Sequence, residues 1–299
     1  MMNRRKFLKR SGAGAVLINT RPASTILDSS SVITRSSNIK ISCNLYSFNQ
    51  LLTQGIMTLE EVIDFCGNLG FAAVDPTGYY FPDYPQIPSD EYIYAIKRRA
   101  FINGMAISGT GIRNDFAQPD ADARRADIEL AKRWIEVAAK LDAPVLRVFA
   151  GKALPEGIDR AEVHGWIIDA VKECLHYGKK HGVMITLQNH NDVLKSATDV
   201  KSVLDQLQDD WFGLNLDIGS LRLGDPYEEI ELLAPYARTW QIKEHVYRNG
   251  IKEALQPTQI AQILKESGYR GYIPLETLQP SDPRERLADF KDEIAAAIQ

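Results

Sequence analysis

Val183-Met184-Ile185-Thr186-Leu187-Gln188-Asn189-His190 is an apolar run that stops abruptly in polar side chains, with Asn191 and Asp192 following. A short apolar run of this kind reads as a strand buried on both faces, and this one delivers its polar groups at the carboxyl end. Three later runs repeat the pattern: Trp211-Phe-Gly-Leu-Asn-Leu-Asp217, Thr239-Trp-Gln-Ile-Lys-Glu244 and Tyr272-Ile-Pro-Leu-Glu276. A helical segment separates each from the next. Four parallel strands that aim polar groups the same way imply one site at one end of a β/α barrel.

Working outward, the same alternation fills the chain from Ile39 on. Strands are expected at Lys40–Tyr46, Ala72–Asp75, Met105–Thr110 and Pro144–Phe149, ahead of the four already quoted. Thr58-Leu-Glu-Glu61 is a capping box and opens a helix to about Leu69. Helices are expected from about Ser89 to Asn103, with Gly104 in the stop position, from Asp122 to Leu141 and from Arg160 to His181. Later helices start near Ser196, Pro226, Pro257 and Pro283. Eight β/α pairs over residues 39–299 suit a single-domain (β/α)8 TIM barrel. An open doubly wound sheet fits less well, because it usually has fewer strands and a glycine fingerprint after one of them.

Composition narrows the partners. The 299 residues are 44% hydrophobic and 25% charged, ordinary values for a soluble domain. No run reaches the roughly 18 apolar residues of a membrane span. The formal charge is −4, yet the first 25 residues hold six basic residues and no acid, so the body is more acidic than the total suggests. Such a body repels phosphate backbones, which argues against nucleic acid. Cys43, Cys66 and Cys174 are too few and too scattered for a disulfide framework or a zinc knuckle, and read as small buried residues. Asn3-Arg-Arg-Lys-Phe-Leu-Lys9, followed by a short apolar stretch, resembles a twin-arginine export signal. That resemblance implies periplasmic localisation, with residues 1–38 as signal and linker.

The two-residue period of a strand selects the site residues. If Gln188 faces inward, so does His190. Asp217 brings Asn215, and Gln241 brings Lys243, while Glu244 faces out. Earlier strands and their loops add Asn44, Tyr46, Asp75, Arg113 and Arg147 as substrate-binding candidates, the two arginines being expected to pair with site carboxylates. Tyr46, Tyr79, Tyr80, Phe81 and Tyr84 follow strands one and two and could form a carbohydrate platform or simply anchor the loops. Trp134 and Trp166 read as helix packing, and Trp240 as facing the helices. His164, His176 and His181 lie on or beside a helix, away from the strand ends.

At these residues the chain resembles the xylose isomerase-like barrel superfamily of sugar isomerases and epimerases. In the epimerase branch of that family a divalent metal is held by Glu, Asp, His and Glu at four strand ends. The matching residues here are Gln188, Asp217, Gln241 and Glu276. Ser220 stands where the family has a substrate-contacting His. The resemblance therefore implies a metal site with two amides in place of a Glu and a His. An all-oxygen set of this kind favours Mn²⁺ or Mg²⁺.

The same substitution bears on the reaction. An epimerase needs an acid/base on each face of the inverted carbon, and Gln188 cannot accept a proton from carbon. Glu276 is left as the base. His190, or Lys243 with a pKa lowered by its surroundings, are the candidates for the second group. The expected activity is isomerisation or epimerisation of a keto-sugar through a metal-stabilised enolate. One-base elimination from an oxidised (3-keto) glycoside, by a lyase or hydrolase, uses the same intermediate. A barrel that only binds sugar is the third reading. The expected partner is a small carbohydrate, with homo-oligomerisation left open.

Overall fold

The computed structural model describes residues 38–279 and 282–299. Apart from Asn38, the expected export signal and linker lie outside the described residues. The strands are β1 Ile39–Asn44, β2 Ala73–Asp75, β3 Ala106–Ile107, β4 Thr110–Gly111, β5 Val145–Phe149, β6 Met184–Gln188, β7 Phe212–Asp217, β8 Ala237–Lys243, β9 His245–Arg248, β10 Ile251–Ala254 and β11 Gly271–Glu276. Nine of them form one parallel sheet in the order β3-β2-β1-β11-β8-β7-β6-β5-β4. Its two end strands, β3 and β4, are separated in the chain only by Ser108 and Gly109, so the chain itself closes the ring. A bridge between Thr77 and Gly111 adds to that closure. The result is a (β/α)8 barrel.

The strand expected at Met105–Thr110 is thus split in two. Ser108 spends its hydroxyl on the neighbouring strands, 2.6 Å from the Ser42 hydroxyl and 3.2 Å from the Val74 carbonyl. Gly109 passes so close to β5 that a Cβ there would meet Val145 Cγ2 at 2.8 Å.

The helices are α1 Asn49–Thr53, α2 Leu59–Asn68, α3 Asp90–Ile102, α4 Ala121–Leu141, α5 Arg160–His181, α6 Ala197–Leu204, α7 Pro226–Leu233, α8 Pro257–Glu266 and α9 Arg284–Ile298. Local chemistry sets their ends. Thr58 Oγ1 accepts from the Glu61 amide at 3.2 Å and Glu61 Oε2 accepts from the Thr58 amide at 2.8 Å, completing the capping box of α2. Ser89, Asp120, Asp159, Ser196 and Asp225 cap α3 to α7, and each such cap is worth about 1 kcal/mol. Among the described residues no helix is long and apolar enough to cross a membrane.

Alternation divides each strand between two environments. On β8, Trp240 faces the helices and meets the Tyr269 ring edge-on at 5.8 Å, whereas Gln241 and Lys243 face the interior. Trp134 on α4 is fully buried against Phe81 and Tyr84. Trp166 on α5 is covered by the Arg124 guanidinium of α4, 4.1 Å from its ring centre. The three cysteines are buried and free. Register then brings the polar strand ends to one level: Phe149 pairs with Gln188, Gln188 with Asn215, Asp217 with Gln241, and Lys243 with Glu276.

Candidate active site

The floor of the barrel mouth is a closed network of charges and amides. Asp217, at the end of β7, is wholly buried. Its Oδ2 accepts from Lys243 Nζ at 2.8 Å, Gln188 Nε2 at 2.8 Å and Ser220 Oγ at 2.7 Å, and its Oδ1 from the Gly219 amide at 3.0 Å. Asn189, on the other parity of its strand end, ties the two strands together. Its side chain donates to the Asp217 carbonyl at 2.9 Å and accepts from the Asp217 amide at 2.8 Å. Lys243 Nζ also lies 3.5 Å from Glu276 Oε1, and Glu276 Oε2 accepts from Gln241 Nε2.

The two carboxylates are pushed in opposite directions. Burial alone would raise the Asp217 pKa, but the Lys243 ammonium, by charge and hydrogen bond, holds it below the ordinary value, with help from His190 and Ser220. Burial raises Glu276; Lys243 opposes this and Asp217 reinforces it, and the balance stays above the ordinary value. The distances explain the split: Asp217 holds the close ion pair and Glu276 the looser one. For Lys243, burial favours the neutral amine, yet the two carboxylates outweigh it and the pKa is raised. The expectation of a lysine base with a lowered pKa is therefore corrected. The surroundings thus favour the charged forms of Lys243 and Asp217, while burial favours the protonated form of Glu276.

The four residues at the expected metal positions do converge, but as arranged they do not fit a divalent cation. Both amides turn N–H groups, not oxygens, toward the carboxylates. The orientation is dictated by what lies behind them: Gln188 Oε1 accepts from Arg147 Nη1 at 2.8 Å, and Gln241 Oε1 from Asn215 Nδ2 at 3.3 Å. The space between Asp217 and Glu276 is taken by an ammonium. Four oxygens could meet there only if two amides gave up those donors and Lys243 withdrew. Among the described residues no group of three or more His, Cys, Asp or Glu side chains could hold a metal ion.

Above the floor lies a cavity of about 430 Å³. Gln188, Gln241, Lys243 and Glu276 open into it, as do Asn44, Tyr46, Arg113, Arg147 and His190. Two site candidates sit beneath it. Asp217 is one; Asp75 is the other, 4% exposed, with Asn44 Nδ2 3.5 Å from Oδ2 and no partner for Oδ1. Asp75 is not among the residues that line the cavity; burial raises its pKa and the charge of Arg147 opposes this. Among the described residues neither Arg113 nor Arg147 forms the expected pair with a carboxylate. Arg147 donates to Gln188, and Gly111 is what lets its guanidinium pass, since a Cβ there would lie 2.5 Å from Nη2. Arg113 lies over the Tyr79 ring, 4.9 Å from its centre.

His190 is oriented at both ends. Its Nδ1 is 2.6 Å from Asp192 Oδ2, and its ring stands edge-on to Phe149 with centres 5.3 Å apart. Glu244, expected to face away, also borders the cavity, where Thr277 Oγ1 and Arg286 Nε hold its two oxygens at 2.6 and 2.5 Å. Only Tyr46 and Tyr79 of the expected aromatic platform reach the cavity. Tyr80 donates to Asn49 Oδ1 at 2.9 Å, Tyr84 is bonded to the Arg113 backbone and Phe81 is buried.

Sequence reasoning missed the β9–β10 hairpin, which contributes His245, Tyr247 and Lys252 to the cavity. The signal was Asn249-Gly250 between two short strands, and both residues have positive φ, 49° and 82°. Arg222, in the loop after β7, was also missed.

Comparison with known proteins fits this architecture. D-psicose 3-epimerase from Clostridium cellulolyticum H10 superposes with a TM-score of 0.71 at 16% identity, covering 87% of this chain and 99% of that one. For 3-keto-D-glucoside 4-epimerase from E. coli the TM-score is 0.69 at 12% identity, over 86% and 99%. A xylose isomerase-like TIM barrel protein from Mycobacterium smegmatis, in complex with magnesium, gives 0.64 at 18% identity, over 87% and 98%. At these identities the likeness is one of fold. Among curated proteins the chain has no match. The model of the xylose isomerase-like TIM barrel matches residues 63–297, most of the chain and every strand from β2 to β11, and the protein belongs to that family.

Proposed function

We propose that this protein is a sugar isomerase or epimerase that moves a proton at a carbon next to a carbonyl. The observation that carries the reading is the split between its two buried carboxylates. Asp217 is locked to Lys243, while Glu276 is held more loosely at the cavity wall with a raised pKa. A carboxylate of that kind is suited to general-base work near neutrality.

In this reading the Glu276 carboxylate takes the proton from carbon. Lys243 Nζ and the Arg147 guanidinium carry the positive charge that stabilises the enolate oxygen. If Glu276 hands its proton to the former carbonyl carbon, and the hydroxyl proton on the deprotonated carbon passes to the enolate oxygen, the carbonyl shifts along the chain and the product is an isomer. If the imidazolium of His190, oriented by Asp192, protonates the other face, the product is an epimer, and both residues then re-equilibrate with water. Tyr46 and Tyr79 offer rings to the sugar and Asn44 an amide to its hydroxyls. Residues 1–38 carry the proposal of export by the twin-arginine route, which replacing Arg4 and Arg5 by Lys would abolish.

One observation favours a second reading. Gln188 stands where a second carboxylate would act, and Arg147 and Asp217 fix it in place. With one base, the same enolate can expel a group from the β carbon, making the protein a lyase on an oxidised glycoside. One experiment separates these. D-psicose, D-tagatose, D-fructose and 3-keto-glucosides are incubated with the enzyme in D₂O and followed by NMR. Carbon-bound deuterium with an isomer or epimer is the expected result, and Glu276→Gln removes it. Release of an aglycone without an epimer selects the lyase. No exchange and no release with any of them overturns both and leaves a sugar-binding barrel.

A further inference from the structure

The cavity is cationic although the protein is acidic. Among the described residues Arg113, Arg147, Lys152, Arg222, Lys243 and Lys252 line it, against Asp192, Glu244 and Glu276, in a chain of formal charge −4. All three acids are already engaged: Asp192 by His190, Glu244 by Arg286, Glu276 by Lys243 and Gln241. Arg286 lies outside the cavity lining, so the balance inside it is more positive still.

Part of this excess is concentrated at one place. The Arg222 guanidinium lies 3.5 Å from the centre of the Tyr247 ring and, among the described residues, donates only to the backbone carbonyls of Gly219 and Leu221. Tyr247 on β9 pairs directly with Lys252 on β10, which puts the two side chains on one face of the hairpin. Among the described residues the Lys252 ammonium makes no hydrogen bond or ion pair. The hairpin is fastened to the Arg222 loop through the Asn249 amide, 3.1 Å from the Gly224 carbonyl.

The opposite face of the same hairpin behaves differently. There Arg248 pairs with Glu253 at 3.1 Å and with Asp225. One face is neutralised within the protein, and the face turned to the cavity is not. A half-buried guanidinium set on an aromatic ring is pre-organised for a planar anion. Holding it without a counter-ion is costly unless a ligand supplies one.

We propose that Arg222 and Lys252, flanking Tyr247, form an anion subsite, and that the substrate is a sugar bearing a carboxylate or a phosphate. This rests on the reading of the cavity as a sugar site but not on its chemistry. The test is therefore binding, measured by calorimetry on the full chain carrying Glu276→Gln. D-Fructose, D-fructuronate and D-fructose 6-phosphate are the probes, since they differ only at C6. At least one anion binds about ten-fold or more tightly than fructose, and the tighter one tells carboxylate from phosphate. That advantage is lost in Lys252→Gln and Arg222→Gln and shrinks in 0.5 M salt, while fructose binding is unchanged. Lys252 is an exposed hairpin residue, so its variant keeps the fold if Arg222→Gln does not. Equal binding of the three, no binding of any, or an advantage that survives Lys252→Gln overturns the proposal. Failure of deuterium exchange alone leaves it standing and removes only the enolate chemistry.

Discussion

The floor of the barrel mouth and the hairpin above it handle charge in opposite ways. At the floor, Asp217, Lys243, Gln188, Gln241, Arg147 and Glu276 answer one another through hydrogen bonds and ion pairs within the protein, with the Arg147 Nε left unpartnered. At the hairpin and the loop beside it, Lys252 and Arg222 form no ion pair among the described residues. The lesson is a division of labour. A network that satisfies itself can hold a proton acceptor at a set position and pKa. A cation without a counter-ion can only be completed by a ligand.

Substitutions at the floor test that contrast most severely. Glu276→Gln is isosteric and keeps a hydrogen-bonding group beside Gln241, so folding persists while kcat falls by roughly 10²–10⁴-fold, read by deuterium exchange. A loss of only a few-fold would mean that the base lies elsewhere. Lys243→Met leaves Asp217 buried and uncompensated, and urea unfolding should show a loss of about 3–5 kcal/mol. Lys252→Met at the hairpin, by contrast, should stay within about 0.5 kcal/mol of the parent. Equal costs at the two places would erase the distinction.

The pH dependence sharpens it further. Because Glu276 must be ionised to act and its pKa is raised, the acid limb of kcat/KM should lie above the ordinary glutamate range, and it should be absent from any residual rate of Glu276→Gln. For stability the sign differs between the carboxylates. Glu276 contributes at low pH and its contribution is lost as pH rises through the raised pKa, so Glu276→Gln gains on the parent with rising pH. Asp217, with its lowered pKa, contributes at neutral pH and is lost only as pH falls through that value. A smaller effect is expected far from the mouth: Thr58→Ala should cost about 1 kcal/mol through the capping box of α2, with kcat unchanged. Smallest of all is the response to metal. Mn²⁺ or Mg²⁺ should leave the melting temperature of the parent unchanged, and Gln188→Glu with Gln241→His should make it respond.

Much of this was legible in the sequence because it follows from period and punctuation. Apolar runs ending in polar residues marked the strands, and Ser89, Ser196 and Pro226 marked helix starts within a residue or two. Parity alone placed Gln188, Gln241 and Lys243 in the cavity. What parity cannot supply is depth, which is why Asp75, with the right alternation, lies under the floor. Pairing was equally invisible: whether Arg147 meets a carboxylate or an amide depends on register between β5 and β6. The hairpin was overlooked because two four-residue strands between larger elements carry little periodic signal, although Asn249-Gly250 announced the turn.

The broken third stave has a mechanical consequence. Two-residue β3 and β4 are the shortest strands in the ring, so thermal breathing should concentrate there rather than among the six- and seven-residue strands opposite. Gly111 of β4 is the residue against which Arg147 rests. A ligand that draws on the Arg147 guanidinium would therefore act as a clasp, closing the barrel where it is most ready to gape.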